Sequence, residues 1–127
     1  MSKLYDKKDK EYAGKVKKIL KTLSSGFVIV EGAHDIAALN KLGLKSFAYS
    51  QVLSKQAVPA AECTVYLLTD SDKGGEEKKE KLLAVLREVN SGYKIDDVLG
   101  KHLMRLLNIT SIEQICSPVE EILAKVN

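Results

Sequence analysis

Two kinds of hydrophobic spacing alternate along the chain. Tyr12, Val16, Ile19, Leu20 and Leu23 recur at the period of one helical face with lysines between them, which predicts a helix over about residues 7–24 that Gly26 is placed to end. Phe27-Val28-Ile29-Val30 follows as a short, largely β-branched run without polar alternation, the pattern of a parallel strand buried on both faces, and it stops at Glu31-Gly32. Ile36, Ala38, Leu39 and Leu42 predict a short helix from His34, closed by Gly43, and Ser46-Phe47-Ala48-Tyr49 predicts a second strand. Residues 52–61 are weakly helical, with Pro59 keeping any helix short. Val65-Tyr66-Leu67-Leu68-Thr69 is a further buried strand that stops at Asp70. A charged stretch from Glu76 to Lys81 then leads into Leu82, Leu83, Val85, Leu86 and Val89, a helix over about residues 75–90, before a short strand near Tyr93-Lys94-Ile95.

Strands alternating with helices imply βαβ crossovers, hence an α/β fold with a mostly parallel four-stranded sheet and helices on both faces. The last third departs from that pattern. Val98, Leu99, Leu103, Leu106 and Leu107 predict an amphipathic helix, Thr110 with Glu113 a capping box, and Ser117-Pro118-Val119-Glu120 an N-cap, an N1 proline and an N3 glutamate. These elements form a small C-terminal helical cap over residues 96–127. With no repeat or Gly/Ser linker, residues 1–127 are expected to be one domain with its core at about 26–95.

Apolar residues at 45% place the chain among globular rather than disordered proteins. No stretch approaches the roughly 20 apolar residues of a membrane span, and the N-terminus has no apolar signal core, so a cytoplasmic protein without a membrane partner is expected. Cys63 and Cys116 have no Cys or His at zinc-ligand spacing and read as buried or neutral thiols. Charge is uneven along the chain. Residues 1–21 hold eight lysines against Asp6, Asp9 and Glu11, while the remainder is slightly acidic. A basic arm of this kind, with Lys15, Lys17 and Lys18 at its centre, can attract phosphate, although a solvated helix face has the same composition.

The chemistry is concentrated immediately after the two buried strands. Glu31-Gly32-Ala33-His34-Asp35 follows the first and Asp70-Ser71-Asp72-Lys73-Gly74-Gly75-Glu76 follows the second. Ligands of open α/β sheets bind outside the carboxyl ends of the strands, so neighbouring strands would bring Glu31, Asp70 and Asp72 together. Carboxylates so close repel one another unless a cation or a shared proton intervenes, and an oxygen-only set suits Mg²⁺ or Mn²⁺. Gly32 and Gly75 would let a backbone approach the ion or a phosphate. Either cluster alone could equally be turn and helix-cap residues; the pair, each in step with a buried strand, favours the ion.

Val28-Ile29-Val30-Glu31-Gly32-x-x-Asp35 and Leu67-Leu68-Thr69-Asp70-x-Asp72-x-x-Gly75-Glu76 resemble the two signature motifs of the Toprim domain, a Rossmann-like module of topoisomerases, bacterial-type primases, recombination proteins and certain nucleases. The resemblance spans about residues 26–95. In detail the chain is similar to the small stand-alone Toprim proteins of archaea and to the Toprim part of the bacterial 5S ribosomal RNA maturase. The resemblance implies a general acid/base role for Glu31, Mg²⁺ ligation by Asp70 and Asp72 with Glu31 sharing the ion, and support from Gly32, Asp35, Gly75 and Glu76. His34 is expected to be a bystander and His102 a structural residue.

The function implied is Mg²⁺-dependent processing of nucleic acid, RNA before DNA, by a nuclease acting on structured RNA such as a ribosomal RNA precursor. Lys15, Lys17, Lys18 and Lys73 would then meet the backbone. The alternative is a non-catalytic nucleic-acid-binding or recombination and repair module of the same type. A chain of 127 residues has no room for a topoisomerase's tyrosine-bearing domain or a primase's zinc module, so neither activity is expected. Aromatic residues at 6% and the absence of Trp argue for backbone recognition over base stacking.

Overall fold

The computed structural model describes residues 7–69 and 75–126. In chain order the elements are α1 (Lys7–Ser24), β1 (Phe27–Val30), α2 (Ala33–Lys41), β2 (Phe47–Ala48), α3 (Tyr49–Leu53), β3 (Thr64–Leu68), α4 (Gly75–Val89), β4 (Lys94–Asp96) and α5 (Val98–Leu107), then a 3₁₀ turn (Ile112–Gln114) and α6 (Cys116–Val126). The four strands form one sheet in the order β2-β1-β3-β4, and every pairing is parallel. This is the Rossmann-like α/β layout expected from the alternation of strand and helix patterns, with the C-terminal helices added.

The strand order follows from how the chain moves away from β1. It steps to one side to make β2, then crosses to the other side to make β3, so crossovers of a single hand place their helices on opposite faces. Side-chain alternation completes the separation. Val28, Val30, Tyr66 and Leu68 point into one core with Val16 and Leu23 of α1, Leu39 of α2, Leu103 and Leu107 of α5, Ile112, Ile115 and Val119. Ile29, Val65 and Leu67 point into a second core with Tyr49 and Val52 of α3 and Leu82 and Leu86 of α4. β1 and β3 have a helical layer on each side, which is why their sequences show no polar alternation. Stacked rings of Phe27 and Phe47, 4.5 Å apart, help hold the short β2 in register with β1.

Several local expectations are corrected. Gly26 follows the end of α1 as expected, its N–H donating to the Leu23 carbonyl at 3.1 Å, and has a packing role besides: a Cβ there would lie 2.6 Å from the Thr64 carbonyl oxygen and 2.4 Å from the Tyr66 ring, so only glycine lets the chain enter β1 against β3. The strand predicted over Ser46-Phe47-Ala48-Tyr49 is only two residues long, and Tyr49 already begins α3, whose start is tied by the Ala48 N–H donating to Gln51 Oε1 at 2.9 Å. The capping interaction expected of Thr110 and Glu113 is made instead by Gln114, whose Oε1 accepts from the N–H groups of Thr110 and Ser111 at 3.0 and 3.1 Å. α6 begins at Cys116, so Ser117 lies inside the first turn where an N-cap was expected. His102 is exposed on α5. Cys63 and Cys116 are half-buried, and the Cys116 thiol donates to the Ala38 carbonyl at 3.1 Å. Among the described residues no helix is long and apolar enough to cross a membrane.

Candidate functional site

β1 and β3 are where the connections diverge, and in such sheets that divergence opens a crevice at the carboxyl ends of the strands. Val30 pairs in register with Ala48 on one side and Leu68 on the other. The residues that follow these three, Tyr49, Glu31 and Thr69, therefore come off adjacent strands at one level, with strands about 4.8 Å apart. Glu31 is half-buried, Thr69 is half-buried, and Tyr49 is only 6% exposed.

Electrostatics link the three. The Tyr49 pKa is pushed up to about 12, first because burial disfavours the phenolate and then because the Glu31 carboxylate adds negative charge nearby; the Thr69 side chain acts in the opposite direction. The Tyr49 hydroxyl is enclosed and makes no hydrogen bond among the described residues, so the Thr69 side chain is close without reaching bonding geometry. Tyr49 escapes a sequence reading because nothing in Phe47-Ala48-Tyr49 tells how far β2 runs, and its place beside Glu31 depends on that register.

The loop after β1 is shaped by Asp35. Its carboxylate is buried at 8% exposure and accepts from the Gly32 N–H at 3.4 Å, while the Ile36 N–H donates to the Gly32 carbonyl at 3.2 Å. The chain turns from β1 into α2 directly behind Glu31, which limits the positions the Glu31 backbone can take. A Cβ at Gly32 would meet no described atom within 4 Å.

The sequence of UPF0292 protein PH1700 of Pyrococcus horikoshii is 32% identical over 102 residues, spanning 72% of this chain and 73% of that relative. The chain belongs to the UPF0292 family. A solved structure from Aquifex aeolicus superposes on this UPF0292 chain with a TM-score of 0.58 at 26% identity, covering 84% of this chain and 96% of the other. No family model matches.

Other expected site residues of the UPF0292 chain divide between exposed positions and positions outside the description. Asp70, Asp72 and Lys73 lie outside the described residues. Gly75 opens α4 and Glu76 is exposed in its first turn. Lys15, Lys17 and Lys18 are exposed on α1, and His34 is exposed on α2. Among the described residues no three His, Cys, Asp or Glu side chains gather at metal-binding spacing. Of the expected acidic set, Glu31 alone falls within the description.

On the far side of Thr69 lies a cleft of about 370 Å³ that no motif announced, lined by Thr69, Lys101, Met104, Arg105, Ile109 and Thr110. α5 supplies both cations. It lies tight on β3 because residue 100 is glycine: a Cβ there would stand 3.0 Å from Leu68 Cγ and 3.2 Å from the Leu67 carbonyl oxygen. Beyond β4, Asp97 forms an ion pair with Lys79 of α4. That hydrogen bond holds the Asp97 carboxyl below its ordinary range and raises the Lys79 ammonium above its own. It ties the first half of α4, which emerges from the Asp70–Gly75 segment, to the end of β4.

Proposed function

We propose that this chain is a Mg²⁺-dependent, Toprim-type protein that processes the phosphodiester backbone of nucleic acid, cleaving structured RNA in preference to DNA. The observation that carries the reading is the register of Val30 with Leu68 at the point where the sheet connections diverge. That register sets Glu31 and Thr69, the residues next after β1 and β3, side by side, and in the sequence Thr69 is followed at once by Asp70 and Asp72.

The donor set fits Mg²⁺ or Mn²⁺: Glu31, Asp70 and Asp72 offer only carboxylate oxygens, the ligands hard divalent cations take. When bound, the cation supplies the positive charge that offsets the phosphate. The remaining work falls to the chain. Glu31, held by the Asp35-braced loop, is the group to take a proton from the attacking oxygen or return one to the leaving oxygen. Tyr49, kept protonated by burial and by the Glu31 carboxylate, adds no competing charge nearby. Among the described residues no atom stands within 4 Å of where a Gly32 Cβ would be, on the side from which the substrate backbone would approach.

Incubation of the purified chain with a panel of hairpin and duplex RNAs and their DNA counterparts, in Mg²⁺ or Mn²⁺, tests the reading. Cleavage that disappears in EDTA and in Glu31→Gln, Asp70→Asn and Asp72→Asn, with binding retained, is the expected result. An uncut panel, or cleavage indifferent to all three substitutions, overturns it. Binding that survives without any turnover would return the chain to the non-catalytic reading.

A further inference from the structure

α5 presents two cations on one exposed face. Lys101 and Arg105 stand four residues apart, about one helical turn, while Leu103, Met104 and Leu107 are buried. After Leu107 the chain reverses through Asn108, whose φ of 55° is the left-handed conformation that asparagine tolerates well. The Ile109 N–H then donates to the Met104 carbonyl at 3.0 Å, and Thr110 arrives opposite the helix. The result is the concave cleft of about 370 Å³ whose other wall is Thr69, the residue beside Tyr49 at the end of β3.

Neither cation is committed elsewhere among the described residues. Asp97, the carboxylate whose field reaches Lys101, is already paired with Lys79. Among the described residues that line the cleft there is no aromatic ring on which a base could stack, while Met104 and Ile109 offer apolar wall. A planar guanidinium and an ammonium on one face, with apolar surface between, suit a sugar-phosphate backbone better than a base.

We propose that this cleft is a phosphate-binding site for a nucleic-acid backbone, with Lys101 and Arg105 gripping a phosphate that flanks the one presented to Glu31. The inference rests on the functional reading of the sheet rim and extends it by assigning the path of the substrate: over α5 and the turn after it, past Thr69. The basic lysines of α1 are a separate surface that this path does not require.

Fluorescence anisotropy with a fluorescein-labelled RNA hairpin and its DNA counterpart, in EDTA so that nothing is cleaved, tests the site over a potassium chloride series. The Lys101→Ala/Arg105→Ala double variant is expected to bind at least about tenfold more weakly, since it loses two charge-assisted contacts to phosphate. Its salt slope should fall by about 0.9 on a duplex and about 0.7 on a single strand, for the one phosphate that the two cations grip. Arg105→Lys, which keeps the charge and loses the fork, should fall between the two and guards against a folding artefact; so does a thermal melt of the double variant. Asp70→Asn, measured alongside, should bind at least as tightly as wild type, and should fail to cleave when Mg²⁺ is supplied in a separate incubation. If the double variant binds with wild-type affinity and slope, or if wild type binds neither probe, the cleft is not a phosphate site. If the double variant loses binding while wild type leaves the same hairpins uncut in a separate incubation with Mg²⁺, the cleft stands and the nuclease reading falls.

Discussion

The phenol of Tyr49 lies in the field of the Glu31 carboxylate, across the ends of β2 and β1. Both side chains are held there by strand register, and the carboxylate helps lift the phenol's pKa to about 12. Because the hydroxyl is enclosed and unbonded among the described residues, it contributes an unsatisfied polar group to the second core. Tyr49→Phe removes that group and keeps the ring, so it should melt at or above the wild-type temperature, with a gain of up to about 1 kcal/mol. Tyr49→Ala empties the ring's place beside Ile29 and Val65 and should lose about 3–5 kcal/mol. Urea denaturation of the pair decides: a Phe variant clearly less stable than wild type would mean that the hydroxyl is bonded.

Gly100 sets how closely α5 approaches β3. Alanine favours a helix interior by about 1 kcal/mol over glycine, yet its Cβ would press on Leu68 Cγ and on the Leu67 carbonyl oxygen. Leu68 is fully packed and the carbonyl belongs to the sheet, so neither yields cheaply; overpacking of this kind costs about 1–3 kcal/mol. Gly100→Ala is expected to be destabilised by about 1 kcal/mol net and Gly100→Leu by more. Because α5 forms one wall of the cleft at Thr69, both variants should also weaken hairpin binding; equal stability of wild type and Gly100→Leu would show that α5 packs less tightly.

Burial logic made the main elements readable in advance. β1 and β3 announce themselves because a strand covered on both faces has no use for polar residues, and α1 because its lysines interrupt the apolar face at the helical period. The end of each buried run likewise marks where its strand stops, which puts Glu31 directly after β1 and Thr69 directly after β3. The cleft at Lys101 and Arg105 was not legible. On a helix with Leu103 and Leu107 inside, two outward cations look like an ordinary solvated face, and only the close approach at Gly100 together with the reversal at Asn108 turns that face into a cleft. Tyr49 was hidden because a two-residue strand leaves no periodicity to count.

The Lys79–Asp97 pair predicts a pH dependence of stability with a definite sign. Asp97 titrates below its ordinary value of 3.8 in the folded chain, first because Lys79 hydrogen-bonds it. Its contribution is therefore fully present above that ordinary value and is lost as pH falls through the lowered folded value. Lys79 titrates above its ordinary value of 10.5, so its contribution is present below that value and is lost as pH rises through the raised one. Both side chains are 30% exposed, which limits the pair to about 1 kcal/mol or less at neutral pH. Asp97→Asn should show that deficit in urea near neutrality and converge on wild type as the acid limb is descended; a constant gap down that limb would mean that the carboxylate's charge is not what stabilises the fold.

The exposed lysines of α1 make the last expectation, and it separates two basic surfaces on one molecule. α1 packs on α5 and α6, and the Tyr12 hydroxyl donates to the Leu106 carbonyl at 2.8 Å, so the helix is anchored to the layer that carries the cleft. Lys15, Lys17 and Lys18 project to solvent from it. Contacts from such lysines are point charges on phosphates and carry no sequence information, so reversing all three to Glu should weaken binding of every hairpin by a similar factor. The salt slope should fall by up to about 2.7 if each lysine meets one phosphate of a duplex. Combining that variant with Lys101→Ala/Arg105→Ala tests independence: two separate surfaces give losses in binding free energy that add within about 0.5 kcal/mol, whereas one continuous track gives a clear departure from additivity. An unchanged slope in the α1 variant removes that helix from the interface and leaves the cleft of α5 as the sole backbone contact among these surfaces.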